Sequence, residues 1–181
     1  MVAEQQFITA QEFAKMPKQQ AFVELIGGEI VVSPSPTPRH DIVISNLKDE
    51  LRVHCETLGL SRWYQAPVDL FIAGYDVLQP DLMVFRADQE PGLDELPVRR
   101  IPSIVIEVLS PGTRKKDLRE KLPRYAGRGI AEFWVIDPAN RSITLYLLGK
   151  DGAYQPYIVG KDPIEVGIYR GVTLPIDRIF P

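Results

Sequence analysis

The chain contains one cysteine, Cys55, and two histidines, His40 and His54, in 181 residues. A single thiol excludes an internal disulfide and any cysteine-rich zinc site, and two imidazoles are too few for most transition-metal cages. Any metal should therefore be held by oxygen. No apolar run approaches the ~18 residues that a membrane span needs, and the opening MVAEQQFITAQEF has neither the basic leader nor the apolar segment of an export signal. The expectation is a soluble, cytoplasmic protein with no membrane partner. Positive charge is not in excess: 24 acidic residues against 21 basic ones leave a net charge of −3. That argues against nonspecific nucleic-acid binding by bulk charge, while leaving room for a local basic stripe. There is no P-loop glycine signature, G-x-S-x-G elbow or H-E-x-x-H pair, so the commoner NTPase, serine-hydrolase and zinc-protease readings fall away.

What is present is the composition of a globular chain, 45% hydrophobic and 25% charged, at the length of one ordinary domain; residues 1–181 are expected to form a single domain. Thr9-Ala10-Gln11-Glu12 has capping-box form and starts a short helix that Pro17 ends. FVELIGGEIVV reads as a tight hairpin turning at Gly27-Gly28. If residues 26 and 29 pair, Val23, Leu25, Ile30 and Val32 share one apolar face, and Glu24 and Glu29 share the other. After the proline-punctuated SPSPTPRH, the positions Ile42, Ile44, Leu47, Leu51 and Leu58 recur at near-helical spacing and predict a long amphipathic helix from about Pro38 to Leu58.

RWYQAPVDLFI and LQPDLMVF have strand composition around a Gly-Tyr-Asp turn and suggest an antiparallel pair, and RADQEPGLDELPVRR is an exposed loop. Ser103 to Leu109 reads as a buried strand, Thr113 to about Tyr125 as a helix and AEFWVID as a second strand, with the two strands expected to pair in parallel through a right-handed crossover. SITLYLL, AYQPYIV and VTLPI add short strands. The fold class is α/β, a mixed β-sheet flanked by helices with an N-terminal hairpin and C-terminal strands.

Within IVIEVLSPGTRKKD, residues 104–117, Glu107 interrupts an otherwise apolar strand. A buried carboxylate without a partner costs several kcal/mol, so something must compensate it: a hydrogen-bonded core site, an ion pair, or a cation shared with a second carboxylate. Asp81, directly after Pro80 at the start of an apolar strand, is the natural second carboxylate. If the two strands are neighbours, carboxylates ~4 Å apart repel by about 4 kcal/mol at an effective dielectric of 20, which makes sense mainly around a cation. Alone, Asp81 reads more readily as a strand start or a turn cap than as a ligand.

The segments QPDLMVF and IVIEVLSPGTRKKDLREKLPRYAGRGIAEFWVIDP, preceded by ELIGGEIVVSPSPTPRH, resemble the Uma-type restriction-endonuclease family of the PD-(D/E)XK nuclease superfamily over residues 9 to 150. The resemblance implies a restriction-endonuclease-like core and hydrolysis of DNA phosphodiesters with Mg²⁺ or Mn²⁺. It further implies that Asp81 and Glu107 bind the metal, with the backbone carbonyl of Val108 as a further ligand, and that a lysine orients water or stabilises charge. The superfamily's lysine stands two residues after the acidic residue, where this chain has Leu109. A helix starting near Thr113 and folding back along the strand brings Lys121 within a side chain's reach of Glu107, by about 12 Å of helix against about 7 Å of strand. The family pattern also carries its lysine on this helix, so Lys121 is the catalytic candidate, with Lys115 and Lys116 as alternatives; Pro123 should kink or restrict the segment.

Arg114, Lys115, Lys116, Arg119, Lys121, Arg124 and Arg128 face only Asp117 and Glu120 between Ser110 and Gly129. This is a basic stripe suited to phosphate contacts, or a merely solvated helix face. Arg114, Lys115, Lys116 and His40 are the candidate nucleic-acid contacts, His40 having a helix cap or an exposed structural role as alternatives. Glu24 is either a further catalytic metal or water ligand or an exposed hairpin glutamate. Tyr125 reads as packing, Asp137 as the end of its strand, and Asp117 as an i, i+4 partner of Lys121. A homodimer would suit an enzyme cutting both strands. The rival reading is a catalytically inactive nuclease-fold module that binds nucleic acid or a partner; a small-molecule metal hydrolase would keep the acidic pair without needing the stripe.

Overall fold

The computed structural model describes residues 7–17, 22–55, 58, 60–112, 114–159, 167, 168, 170–173 and 175–181. Helix α1 (Ala10–Lys15) opens with the expected capping box, the Thr9 hydroxyl accepting from Glu12 N–H while the Glu12 carboxylate takes the Thr9 N–H at 2.8 Å. Strands β1 (Val23–Ile26) and β2 (Glu29–Val32) pair in the expected register, Ile26 opposite Glu29, around Gly27 and Gly28 at φ 60° and 83°. Both glycines take the left-handed backbone that a tight hairpin turn demands.

The expected face division of this hairpin is only half realised. Every residue of β1 is buried, Glu24 included, whereas Val32 is 68% exposed. The reason is position in the sheet: β1 lies between β2 and β5 (Asp76–Leu78), and β4 (Leu70–Ala73) completes a four-stranded antiparallel sheet in the order β2-β1-β5-β4. Ile30 and Val32 therefore stand on an edge strand.

Helix α2 (Pro38–Cys55) follows the proline-rich segment. Its buried stripe is Val43, Ile44, Leu47 and Leu51; Ile42, expected on that stripe, is 45% exposed. The larger sheet has six strands in the order β10-β9-β8-β7-β6-β3: β3 (Leu60–Gln65), β6 (Leu82–Arg86), β7 (Ile104–Val108), β8 (Glu132–Asp137), β9 (Ser142–Leu148) and β10 (Tyr154–Val159). It is mixed, with β7 and β8 parallel as expected of the strand, helix, strand unit. The run RWYQAPVDLFI divides between the two sheets, β3 pairing with β6 and β4 with β5. Pro67 between them has no N–H to give to a ladder, so the chain can leave one sheet and join the other there. Of the last expected strand, VTLPI, Val172 stands in a β-bridge, Leu174 lies outside the described residues, and Ile176 begins the short helix α5 (Ile176–Ile179), whose Ile179 packs against the α2 stripe.

Between β7 and β8 the chain is helical from Arg114 to Arg128 in three parts: α3 (Arg114–Lys116), a π-helical turn over Asp117–Lys121, and α4 (Leu122–Arg128). The disturbance expected from Pro123 thus takes the form of a widened turn. A proline ring clashes with the carbonyl four residues earlier and removes an N–H; here the Leu122 N–H reaches back five residues to the Asp117 carbonyl, and Pro123 falls in the first turn of α4. Such single π turns are uncommon and occur often at functional sites.

Strand alternation sorts β7 between two cores. Ile104, Ile106 and Val108 pack with α2, while Val105 and Leu109 pack on the opposite face with Tyr125, Phe133 and the smaller sheet. Glu107 shares the second face, under the helix that carries Lys121.

Candidate active site

Six segments converge on one cavity of about 240 Å³. Its lining includes Glu24 from β1, the 33–37 segment, His40 from the first turn of α2, Asp81 at the head of β6, Glu107 and Val108 from β7, and Lys116, Asp117 and Lys121 from the helix. Antiparallel pairing of Leu82 with Ile106 brings the head of β6 beside the end of β7, so Asp81 and Glu107 share the cavity although 26 residues separate them in sequence.

Asp81 continues the β6–β7 ladder with its side chain. Its Oδ2 accepts the Val108 N–H at 2.7 Å, and the His40 Nε2 lies 3.1 Å from the same oxygen. An ionised carboxylate is acceptor only, so the imidazole carries its proton on Nε2. Val108 thus engages Asp81 through its N–H, a different atom from the carbonyl expected to serve as a ligand. Burial disfavours the His40 cation, but Asp81 and Asp41 outweigh it and hold the imidazole pKa above its ordinary value.

Glu107 and Lys121 are each only 3% exposed. Lys121 Nζ donates to Glu107 Oε1 at 2.8 Å and lies 2.9 Å from Glu24 Oε1 and 3.5 Å from Asp117 Oδ1. The Tyr125 hydroxyl donates to the same Glu107 oxygen at 2.6 Å. Asp117, Lys121 and Tyr125 are spaced by four residues and share one helix face, all three buried. Glu24 is not an exposed hairpin residue: its Oε1 takes the Gln79 N–H at 2.9 Å and its Oε2 takes Lys116 Nζ at 2.7 Å. With both oxygens occupied, Glu24 serves as the brace between two lysines.

Negative charge is in surplus here, with Glu24, Asp81, Glu107 and Asp117 set against Lys116, Lys121 and the His40 ring. Burial and the neighbouring Asp117, Asp81 and Glu24 push Glu107 well above the usual carboxylate range despite Lys121. Burial opposes the Lys121 cation, yet Glu107, Glu24 and Asp117 carry its pKa well above that of a free lysine. The surplus of carboxylates contributes to both shifts, adding to the larger effect of burial at Glu107 and overcoming burial at Lys121. The donor set is consistent with a hard divalent ion: Asp81 Oδ1 and Glu107 Oε2 take no hydrogen bond from the described residues and belong to side chains that line the cavity. No group of three or more His, Cys, Asp or Glu side chains forms a closed cage among the described residues. A pair of carboxylates with retained waters is the manner in which Mg²⁺ is commonly held.

The basic stripe disperses on folding. Lys121 is buried, Lys116 turns inward to Glu24 and Ser33, Arg114 pairs with Asp137, and Arg124 pairs with Asp76 at 2.6 Å. Arg128 donates to the Arg99 carbonyl. Among the described residues, Lys115 and Arg119 remain exposed with no ion pair. The fixed surface is therefore less basic than the run of sequence implied, because strand-borne carboxylates capture the cations. Asp137 ends β8, as expected, and also anchors the turn after it through Ala139 and Asn140 N–H.

Three relationships escaped sequence reasoning. The Lys116–Glu24 and His40–Asp81 contacts span 92 and 41 residues, beyond any local pattern. The Tyr125–Glu107 bond had a signal, since Tyr125 stands one turn beyond Lys121 on the same helix face.

A two-sheet α/β arrangement flanked by helices, with a pair of acids at neighbouring strand ends, is a restriction-endonuclease-like fold. The family model Uma2, described as "Putative restriction endonuclease", matches residues 10–177, and the chain belongs to that family. Among solved structures, the crystal structure of "a putative nuclease belonging to DUF820" from Anabaena variabilis ATCC 29413 is similar in fold, with a TM-score of 0.76 at 21% sequence identity over 96% of this chain and 97% of that one. No curated protein matches the sequence.

Proposed function

We propose that the chain is a divalent-metal-dependent endonuclease that hydrolyses phosphodiester bonds of DNA, with residues 1–181 acting as one catalytic domain. The observation that carries this reading is the convergence of Asp81 and Glu107 on one cavity, each with one oxygen held by donors and the other taking no bond from the described residues. These two side chains hold the ion, Mg²⁺ or Mn²⁺. When bound, the ion supplies charge neutralisation at the scissile phosphate and lowers the pKa of the attacking water.

Lys121 supplies the cation that the superfamily pattern places at the position of Leu109. Three carboxylates hold its ammonium protonated, so it acts as a fixed positive hydrogen-bond donor to charge developing on the phosphate, and general-base catalysis falls to another group. Lys115 and Arg119 on the exposed side of the helix contact flanking phosphates.

The test is metal-dependent nicking of plasmid and single-stranded DNA by the purified protein, with calorimetry for ion binding. Cleavage that needs Mg²⁺ or Mn²⁺ and disappears in Asp81→Ala, Glu107→Ala and Lys121→Ala is the expected result. Cleavage retained in Lys121→Ala removes only the lysine assignment; no ion binding and no cleavage of any DNA would falsify the nuclease reading. A binding module without hydrolysis is the second reading, favoured by the burial of Leu109 in an apolar core, and it predicts DNA binding without turnover in the same assay.

A further inference from the structure

The two candidate metal carboxylates are held in the same way by unrelated parts of the chain. Glu107 Oε1 receives two donors from the helix, Lys121 Nζ at 2.8 Å and Tyr125 OH at 2.6 Å. Asp81 Oδ2 receives two donors, Val108 N–H at 2.7 Å from the neighbouring strand and His40 Nε2 at 3.1 Å from α2. In each case the second oxygen takes no bond from the described residues. A carboxylate with one oxygen doubly tied has lost rotation about its terminal torsion, so its other oxygen is aimed.

We propose that Tyr125 and His40 are positioning residues of the metal site, each orienting one carboxylate so that Glu107 Oε2 and Asp81 Oδ1 are presented to a divalent cation. The inference rests on the nuclease reading above and deepens it. Neither residue touches the ion. Tyr125 combines two functions: its ring packs 5.1 Å from that of Phe133, centroid to centroid, and only the hydroxyl reaches the site. Removing that oxygen leaves the packing in place. His40 is placed by the start of α2, where its Nδ1 makes no hydrogen bond and lies 3.6 Å from Asp41 Oδ1, and Nε2 is the atom that meets Asp81. Glutamine is the side chain that best reproduces a donor at the position of Nε2. Outer ligands of this kind are typically worth about 10- to 100-fold in metal affinity.

The experiment is Mn²⁺ titration of the intact protein by calorimetry, without DNA, for wild type, Tyr125→Phe, His40→Ala and His40→Gln, with thermal melts of each. The expected result is weakening of Mn²⁺ binding by about 10-fold or more in Tyr125→Phe and His40→Ala, with most of the affinity recovered in His40→Gln. Wild-type affinity in both Tyr125→Phe and His40→Ala, with Asp81→Ala abolishing binding, overturns the inference and leaves the metal site standing. A wild type that binds no Mn²⁺ overturns the metal reading and this inference with it. If Tyr125→Phe fails to fold, the contrast between His40→Ala and His40→Gln decides, because a merely structural histidine would not have its metal affinity restored by an amide donor.

Discussion

Lys121 Nζ donates to Glu107 Oε1 at 2.8 Å, joining the helix after β7 to the strand before it across 14 residues and closing a buried cluster in which carboxylates outnumber lysines. The contact places a lysine beside the strand acid although none stands two residues after it. The helix reaches back because its π turn and Pro123 leave Asp117, Lys121 and Tyr125 on the face that covers β7.

The excess of anions gives the cluster a predictable asymmetry. Removing a cation aggravates it, and removing an anion relieves it. Lys121→Met should cost about 3–5 kcal/mol, the scale for an uncompensated buried charge, while Glu107→Gln should cost less than about 1 kcal/mol. Urea unfolding of both variants checks the order; equal losses would show that the surplus of negative charge is not felt.

Dispersal of the basic stripe predicts how DNA binding responds to salt. Lys115→Ala and Arg119→Ala should each lower the slope of log affinity against log salt by about 1, whereas Arg114→Ala, whose guanidinium is paired with Asp137, should change it less. Fluorescence anisotropy with an oligonucleotide in the absence of divalent ion measures this. Equal slope changes for all three would restore the stripe as one phosphate-binding face.

Asp137 offers a pH test at a distance from the acidic cluster. Burial acts to raise its pKa, but Arg114, the Asn140 side chain and the Asn140 N–H outweigh it and hold the carboxyl below its usual value of 3.8. A carboxylate with a depressed folded pKa contributes stability that is fully present above its unfolded pKa and is lost as pH falls through the folded one. Asp137→Ala should therefore cost about 1–2 kcal/mol at pH 7, and the difference from wild type should shrink below about pH 4. Chemical unfolding at pH 7 and pH 3 decides it; a gap that widens in acid has the opposite sign.

Gly129 caps α4 at φ 82°, its N–H bonded to the Ala126 and Tyr125 carbonyls, and a Cβ there would meet nothing within 4 Å. Backbone conformation alone then sets the cost of Gly129→Ala, about 1 kcal/mol, or roughly 2–4 °C in Tm. A melting curve unchanged to within a degree would show that the helix end relaxes away from the left-handed turn.

Local features of the chain were legible before any tertiary information. The Thr9–Glu12 capping box, the Gly27-Gly28 hairpin with Ile26 opposite Glu29, the α2 span and the parallel β7–β8 unit each follow from interactions between residues near in sequence or from strand and helix periodicity. The importance of Glu107 was legible for an energetic reason, since a charge in a strand that is apolar on both faces demands a partner. Its pairing with Lys121 followed from the rise per residue of a strand and of a helix folded back on it.

What only the tertiary structure decided is where the charges go. Glu24 became a buried brace between Lys116 and Lys121 because β1 is flanked on both sides in a second sheet that no local signal announces. His40 came to Asp81, and Lys116 turned away from solvent, through contacts spanning 41 and 92 residues. Coulomb attraction between buried groups acts on distance in space, and sequence separation carries no measure of that distance once a chain folds into two sheets.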